Sequence, residues 1–437
     1  MTDTSIAPVS KAARVPSLDV LRGIAVLGIL IMNITGFGLL HQAYGNPLAG
    51  GGATGLNRLT YDIVSVGFEG TMRGIFSMLF GASIVLLTGR MEQAGAGLMA
   101  AEVHFRRMLW MMLFGIVHWT LLLWWGEILF AYSICGLLLF AVRKLSPRVH
   151  IIAAVLLLAG AAAFQTMEHH DTIAGQAEAA LAEAAKAKGA TLNAEQTKAI
   201  EAWQEKTGEQ MPTREDAKKQ RGWHSGSYPD ALSGQLPFSF AFQWVTAPFW
   251  LVFDMIPFML LGMGLLGTGV LGARAPARTY ALMAAGGYAV GIPLGLYELG
   301  LLSDSDFGAL AAAEANRTYQ ISRLAMVIGH LGLALSIIRA GLFGGAQRVL
   351  AAVGQMALSN YLAQTLICTA LFYGFGFGLF EAFERHQLYA VVAAIWAAEL
   401  IWSPLWLSRF RFGPFEWLWR SLTYWQRQPM RIRVVLP

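Results

Sequence analysis

The chain has 437 residues, of which 56% are hydrophobic and only 14% are charged, and its mean hydropathy is +0.50. Soluble domains carry about 25% charged residues, so this composition excludes an ordinary soluble protein and indicates a multi-pass membrane protein. The net charge of +5 does not indicate nucleic-acid binding, because the basic residues lie at the ends of apolar segments. Cys135 and Cys368 lie inside such segments and are predicted to be packing thiols without a disulfide.

Apolar runs long enough to cross a bilayer predict an all-α fold, a bundle of about ten transmembrane helices. The polar residues 1–17 form an N-terminal segment, and the run after them is longer than the apolar part of a signal peptide. We therefore interpret that run as an uncleaved first helix. The predicted spans are 18–40, 61–88, 107–125, 128–143, 149–166, 246–271, 277–300, 319–343, 349–372 and 386–408.

The distribution of Lys and Arg predicts the orientation of these helices. The loops on the side of the N-terminus carry most of them, whereas the short loops on the other side hold little beyond Arg58, Arg317 and Arg385. Positive charge favours the cytoplasmic side of a membrane. Both termini are therefore predicted to be cytoplasmic.

One polar insertion, residues 168–236, separates helices 1–5 (18–167) from helices 6–10 (237–408). Its core is rich in Ala, Glu, Lys and Gln, which predicts helices. We expect it to lie outside the cytoplasm and to cap the bundle, as a structural or homodimer contact or as a selector of the acceptor. The tail, 409–437, mixes Arg with Trp and is predicted to lie on the inner surface among membrane lipids.

Ionisable residues at membrane depth are costly and therefore indicate function. Several are predicted to lie in the outer half of the bundle, where Asp62, Glu69 and Arg73 would share one face of helix 2 and Glu69 would pair with Arg73. Each has a structural alternative: an ion pair, a buried histidine, an interfacial residue or a turn anchor. The candidates that would converge on one cavity are His41, Asp62, Glu69, Arg73, His118 and Glu127.

A second group of polar residues lies deeper or on the cytoplasmic side. Asp19 and Arg22 occupy the cytoplasmic end of helix 1, where they either brace the helix or border a donor entrance. Interhelical hydrogen bonds alone could explain the amides in this group. No metal-binding motif occurs, and we predict no metal. The remaining members are Asn33, Asp254, His330, Asn360, Gln364 and Glu399.

Five motifs, taken together and in order, resemble those of the YeiB-like family of bacterial membrane proteins, whose domain is classed as of unknown function (domain of unknown function 418). That resemblance implies the bacterial cytoplasmic (inner) membrane. Glu127 stands where we expect the family to have Asp more often. The motifs are 17–25 (SLDVLRGIA), 73–81 (RGIFSMLFG), 118–129 (HWTLLLWWGEIL), 354–364 (GQMALSNYLAQ) and 413–424 (GPFEWLWRSLTY).

The family is similar, more distantly, to transmembrane acyltransferases such as heparan-alpha-glucosaminide N-acetyltransferase. This resemblance implies transfer of an acyl group from cytoplasmic acyl-CoA, such as acetyl-CoA, to a small-molecule, glycan or lipid-linked acceptor across the membrane. In those enzymes an outer-side histidine follows the first helix, and His41 would match it, whereas His118 fits the YeiB-like motif better.

The expected function is therefore a membrane-embedded acyltransferase with His118 or His41 as general base, oriented by Glu127. Arg73 would stabilise oxyanion charge. Substrate-binding candidates are Asp62, Glu69, Asn33, Asn360, Gln364 and His330, and the donor phosphates would contact Arg14, Arg22, Arg106 and Arg107. The main alternative is a transporter or flippase for a lipid-linked or small polar molecule, and the third possibility is a sensory or scaffolding protein.

Overall fold

A computed structural model describes residues 15–432, and this part of the chain is helical apart from loops and one isolated β-bridge between Phe410 and Arg431. The all-α prediction is confirmed. The first half contains α1 (Pro16–Gly38), α2 (Gly55–Phe68), α3 (Thr71–Gln93), α4 (Met99–Thr120), α5 (Leu129–Leu139), α6 (Pro147–Ala187), α7 (Ala194–Gln210) and α8 (Arg214–Ser225). The second half contains α9 (Tyr228–Ala241), α10 (Ala247–Trp250), α11 (Ile256–Gly267), α12 (Ala277–Asp304), α13 (Ala309–Arg339), α14 (Gly344–Gln355), α15 (Ala357–Phe372), α16 (Arg385–Arg409) and α17 (Pro414–Tyr424).

Helix α1 is the centre of the bundle. It is apolar on all sides and buried along nearly its whole length, as expected for a helix surrounded by others. It packs against α14, α3, α15 and α16. The contact with α14 is closest at Gly23 and Gly354, where a Cβ on either glycine would collide with the backbone of the other helix. Two of the five recognised motifs thus meet at this crossing.

Seven helical segments of the described chain are long and apolar enough to cross a membrane. Each of them overlaps one of seven predicted spans, although several begin or end ten or more residues from the predicted bounds. The other three predicted spans fall on α4, on α5 and on α14 with α15. Helix α5 has 11 residues, or about 17 Å of rise, so it crosses only part of a bilayer about 30 Å thick.

The second predicted span, 61–88, is not one helix. It is interrupted at Glu69 and Gly70, and Gly70 has a φ of +65°, in the left-handed region. A Cβ at this position would lie 2.5 Å from Arg323 Cδ and from the Tyr319 hydroxyl. The expectation that Asp62, Glu69 and Arg73 share one helical face is therefore wrong, because Asp62 and Arg73 lie in different helices and Glu69 lies at the break between them.

The insertion caps the end of the bundle at which α1 terminates. Helix α6 continues from the predicted fifth span to Ala187, so the boundary at 168 lies within a helix. The insertion is held by polar contacts to the loop after α1: the His41 backbone N–H donates to Gln220 Oε1 at 3.1 Å, and Asn46 donates to the Gln210 carbonyl at 3.0 Å. The insertion therefore packs on the end of the bundle where α1 ends, and its location outside the cytoplasm stays a prediction.

Candidate functional site

Three cavities lie along the bundle and supply the candidate site. The middle one, here called the tryptophan cavity, has a volume of about 220 Å³ and lies between α1 and the loop that joins α4 to α5. Asn33, Arg73 and Glu127 contribute its polar wall. Three tryptophans, Trp124, Trp125 and Trp250, contribute much of the apolar wall.

The second cavity, here called the carboxylate cavity, has a volume of about 440 Å³ and shares Met32, Tyr44 and Trp250 with the tryptophan cavity. It extends to the underside of the insertion at Gln210. Its acidic lining residues are Glu69, Glu168, Asp254 and Glu298.

A buried ion-pair cluster stands between these two cavities. Arg73 donates two hydrogen bonds to Asp254 Oδ2, at 3.0 Å through Nε and 2.6 Å through Nη2. Arg323 donates to the same oxygen at 2.5 Å and to Gln320 at 2.6 Å. The predicted Glu69–Arg73 pair is therefore wrong: Asp254 is the carboxylate that binds Arg73.

The local backbone explains how Asp254 reaches this position. Residues Phe242–Thr246 and Leu251–Met255 form two single π-helical turns, and Asp254 lies in the second of them. Such turns insert an extra residue into a helix and often occur at functional sites. Trp250 lies beneath the Arg73 guanidinium, whose carbon is 4.5 Å from the ring centroid, so a cation–π contact adds to the ion pair.

Glu127 faces the tryptophan cavity, and His118 lies behind it. The Glu127 carboxylate accepts hydrogen bonds from the backbone N–H groups of Leu129 and Phe130, and it thereby caps the start of α5. His118 Nδ1 is 3.6 Å from Glu127 Oε1, while His118 Nε2 contacts the Thr365 hydroxyl at 2.8 Å. The side chains of both residues are fully buried, and only Glu127 lines the tryptophan cavity, whereas His118 lines none of the three cavities, so Glu127 is the member of the pair that borders a cavity.

The third cavity, here called the basic cavity, has a volume of about 240 Å³ and lies at the amino-terminal end of α1. Asp19 and Arg22 both border it and form an ion pair at 3.0 Å. The carboxy-terminal helix α17 folds back to form one side, since Trp419 Nε1 donates to the Arg107 carbonyl at 2.9 Å. Five arginines line it: Arg22, Arg90, Arg107, Arg411 and Arg420.

Tyr361 connects the two ends of this arrangement. Its side chain lines both the basic cavity and the tryptophan cavity. The ring of His118 meets the Tyr361 ring edge-on at a centroid distance of 5.0 Å. The bundle therefore places the basic cavity and a cavity bordered by Glu127 next to the same tyrosine.

Several predicted site residues lie elsewhere. His41 is buried under the insertion, stacked on Phe238 at 4.2 Å, and Asp62 pairs with Arg58 near the surface; neither lines the three cavities. Arg106 pairs with Glu102 outside the basic cavity. Arg14 lies outside the described residues.

The predicted amides of α15 and the histidine of α13 make interhelical hydrogen bonds and line none of the three cavities. Asn360 bonds to Ser403 and Trp402, and Gln364 bonds to Glu399 and to the backbone of α1. His330 contacts the Gly67 carbonyl at 2.9 Å and the Tyr288 hydroxyl at 3.1 Å. These contacts correspond to the structural alternative raised for the amides.

Two kinds of residue escaped the sequence analysis. Arg323 was not singled out, although a lone arginine within the apolar run 319–343 is the signal that would have found it. Arg411 and Arg420 enter the basic cavity only because the tail folds back on α4, which no local pattern indicates. Among residues 15–432, no three His, Cys, Asp or Glu side chains are grouped as metal ligands.

Comparison with known proteins agrees with the motifs. Residues 267–426 match the family described as "Protein of unknown function (DUF418)". The chain is 30% identical to the uncharacterized protein YeiB of Escherichia coli (strain K12) over 418 residues, which cover 93% of this chain and 95% of YeiB. The chain belongs to the DUF418 family. It is also 27% identical to the uncharacterized protein YxaH of Bacillus subtilis (strain 168), with 98% of each chain covered. No solved structure matches it.

Proposed function

We propose that this DUF418 chain is a membrane-embedded acyltransferase that moves an acyl group from cytoplasmic acyl-CoA, such as acetyl-CoA, to an extracytoplasmic or lipid-linked acceptor. The observation that carries the proposal is the position of Tyr361 between the basic and the tryptophan cavities. A donor held in the basic cavity and an acceptor held near the tryptophan cavity would meet at Tyr361.

The proposal requires a chain that crosses the bacterial inner membrane ten times. Both termini then lie in the cytoplasm. Seven long apolar helical segments support this topology, and the proposal assigns the other three crossings to α4, to α5 with the loops that flank it, and to α14 with α15. The grouping of Arg22, Arg90 and Arg107 at the amino-terminal end of α1 supports a cytoplasmic location for that end. The insertion, at the other end, would then face the periplasm.

The reaction needs a positively charged site that binds the phosphates of the donor and a base that accepts the proton of the acceptor. Five arginines against Asp19 and Glu416 in the basic cavity provide positive charge for the phosphates of CoA. In the transfer, an acceptor O–H or N–H gives its proton to Glu127 while the oxygen or nitrogen bonds to the thioester carbonyl carbon. The carbon–sulfur bond then breaks, and the CoA sulfur takes the proton back from Glu127.

His118 and Arg73 have supporting roles in this scheme. His118 Nδ1 is 3.6 Å from the Glu127 carboxylate, and we assign to it the positioning of that carboxylate. This arrangement exchanges the two roles expected from the sequence, since the glutamate rather than the histidine borders the cavity. Arg73 lines the same cavity, where its guanidinium can stabilise the negative charge on the thioester oxygen during transfer.

The test is acetyl-CoA binding by calorimetry, together with transfer of labelled acetyl, using the full-length protein in detergent. Arg107 and Arg106 are a matched pair, because they are adjacent on α4 but only Arg107 lines the basic cavity. Arg107→Gln should weaken binding roughly 10- to 100-fold, as expected for a charge-assisted hydrogen bond of about 1.5–3 kcal/mol, whereas Arg106→Gln should not. The absence of acetyl-CoA binding by the unaltered protein would overturn the proposal.

Transport of a lipid-linked or small polar molecule is the second candidate. It is favoured by the succession of cavities from one end of the bundle to the other, with Tyr361 as the barrier. Counterflow of an unmodified substrate in proteoliposomes, without acetyl transfer, would select this candidate over the first.

A further inference from the structure

The carboxylate cavity contains buried oxygen acceptors that the described protein does not satisfy. They are Asp254 Oδ1, Glu69 Oε2 and Gln165 Oε1, and all three residues line the cavity. Asp254 is only 2% exposed and Gln165 only 7%. A buried acceptor without a donor costs about 1–3 kcal/mol, so three of them in one cavity indicate a ligand that supplies donors.

Other carboxylate oxygens in the same cavity do have hydrogen-bond donors. The Glu298 oxygens accept hydrogen bonds from Thr318 at 2.7 Å and Ser322 at 2.9 Å. Asp254 Oδ2 holds both arginines, so its other oxygen is the one left for a bound molecule. Among the buried oxygen acceptors of the described lining residues, those without a donor are on Asp254, Glu69 and Gln165, and the Nε–H groups of Arg323 and Arg385 are donors without an acceptor.

Aromatic rings border this cavity beside the unsatisfied oxygens. Tyr44, Trp250 and Tyr319 all contribute to its wall. Flat aromatic rings pack well against the C–H faces of a saturated ring, while oxygen acceptors bind the hydroxyl or amino groups at its edge. An anionic group is disfavoured because carboxylates outnumber guanidinium groups in the lining, with Glu69, Glu168, Asp254 and Glu298 against Arg323 and Arg385.

On the basis of the proposed function, we propose that the carboxylate cavity binds the acceptor as a sugar unit, neutral or amine-bearing, and excludes sugars that carry phosphate. The hydroxyl or amino groups donate to Asp254, Glu69 and Gln165, and the ring packs on Trp250. The shared wall at Tyr44 and Trp250 places the sugar beside the tryptophan cavity, where Glu127 can take the proton of one hydroxyl or amino group.

The experiment is ligand-observed NMR with the full-length protein in a detergent that lacks a sugar headgroup, without acyl-CoA. The probes are a methyl hexoside, a hexosamine and a hexose 6-phosphate at equal concentration. The first two should show saturation transfer and the phosphate should show at least threefold less. Gln165→Leu should reduce the signal of the first two at least threefold, and Gln204→Leu, at an exposed position on α7, should not.

The same samples separate this proposal from the acyltransferase proposal. If acetyl-CoA binds but neither the methyl hexoside nor the hexosamine binds, only the sugar-site proposal is overturned. If the hexose phosphate binds as well as the hexoside, or if Gln165→Leu binds both sugars unchanged, the site is also overturned. Glu69→Gln, which keeps the side-chain shape, provides a second variant should Gln165→Leu fail to fold.

Discussion

Asp254 Oδ2 accepts hydrogen bonds from Arg73 at 2.6 Å and from Arg323 at 2.5 Å, so one buried carboxylate joins α3 to α13. Replacing it with a neutral residue would leave two buried guanidinium groups without a counter-charge. Breaking a buried ion pair in this way costs about 3–5 kcal/mol. We therefore expect Asp254→Asn to lower the free energy of unfolding by that amount, measured by denaturation in detergent.

The control for this variant is Asp62→Asn. Asp62 also pairs with an arginine at 2.6 Å, but both side chains are about 30% exposed to solvent. Exposed pairs contribute about 0–1 kcal/mol, so this variant should unfold almost as the original protein does. Equal losses for both variants would show that the Asp254 cluster is not a buried electrostatic centre.

A second prediction concerns Gly70, at the break between α2 and α3. Gly70→Ala places a Cβ against Arg323 and Tyr319 and forces an alanine to adopt a φ of +65°. The left-handed conformation alone costs roughly 1–2 kcal/mol for a residue with a Cβ. The melting temperature should fall, and Gly67→Ala, in α2 with nothing within 4 Å of its Cβ, should leave it unchanged or raise it. An unchanged melting temperature for Gly70→Ala would show that the left-handed conformation at Gly70 does not contribute to stability.

Helix positions could be predicted from hydropathy, but the break and the ion pairs could not. Helix α1 was expected at 18–40 and spans Pro16–Gly38, because its apolar run ends sharply at both ends. The break at Gly70 lies in a short polar stretch, Glu69–Gly70–Thr71, and hydropathy does not distinguish such a stretch from a polar position within a continuous helix. Asp254 and Arg323 are 69 positions apart, and only the packing of α11 and α13 around α3 and α6 brings them together.

The sequence likewise predicted some features of the candidate site and not others. Glu127 and Arg73 were expected at one cavity, and both line the tryptophan cavity. Whether His118 faces a cavity could not be predicted from the sequence, because a shift of one residue along a helix, a rotation of about 100°, decides whether a side chain faces the cavity or the packed interior. The insertion buries His41, and a long polar segment gives no indication of which residues it covers.

The third prediction is a pH dependence of insertion docking. Burial lowers the pKa of His41 to about 3, with His224 adding to the effect, and burial lowers the pKa of His224 to about 4. His41 packs on Phe238 and Trp125, and His224 packs on Phe380 and Tyr373, near the Arg221–Glu381 ion pair. Both imidazoles are thus neutral when the insertion is docked.

The sign of the effect follows from proton linkage. An exposed histidine has a pKa near 6.5, so the undocked state binds more protons than the docked state below that pH. Docking should be stable above about pH 6.5 and weaken as the pH falls toward about 4. The hydrogen-exchange protection factors of residues 214–241, which correct for the pH dependence of intrinsic exchange, should fall over that range. The double variant His41→Phe with His224→Phe should lose the dependence, and its persistence in that variant would contradict the assignment.

The last prediction concerns Glu127. Glu127→Gln removes the proton acceptor at the tryptophan cavity and replaces one oxygen that caps α5 with a donor. Acetyl transfer should fall by about 10²- to 10⁴-fold, the usual contribution of a general base. Glu127→Asp keeps the charge and should retain measurable transfer. The rate at saturating substrate and the melting temperature are measured for both.

A capping role alone would give a different pattern, because both variants would lose stability and rate together. Glu384→Gln is the matched control, since Glu384 caps α16 and lies outside the three cavities. Glu384→Gln should change the melting temperature slightly and should leave the rate of acetyl transfer unchanged. Retention of more than about a tenth of the rate by Glu127→Gln would mean that Glu127 is not the proton acceptor, since general-base catalysis contributes at least about 10²-fold. His118, its buried neighbour at 3.6 Å, would then be the next residue to substitute.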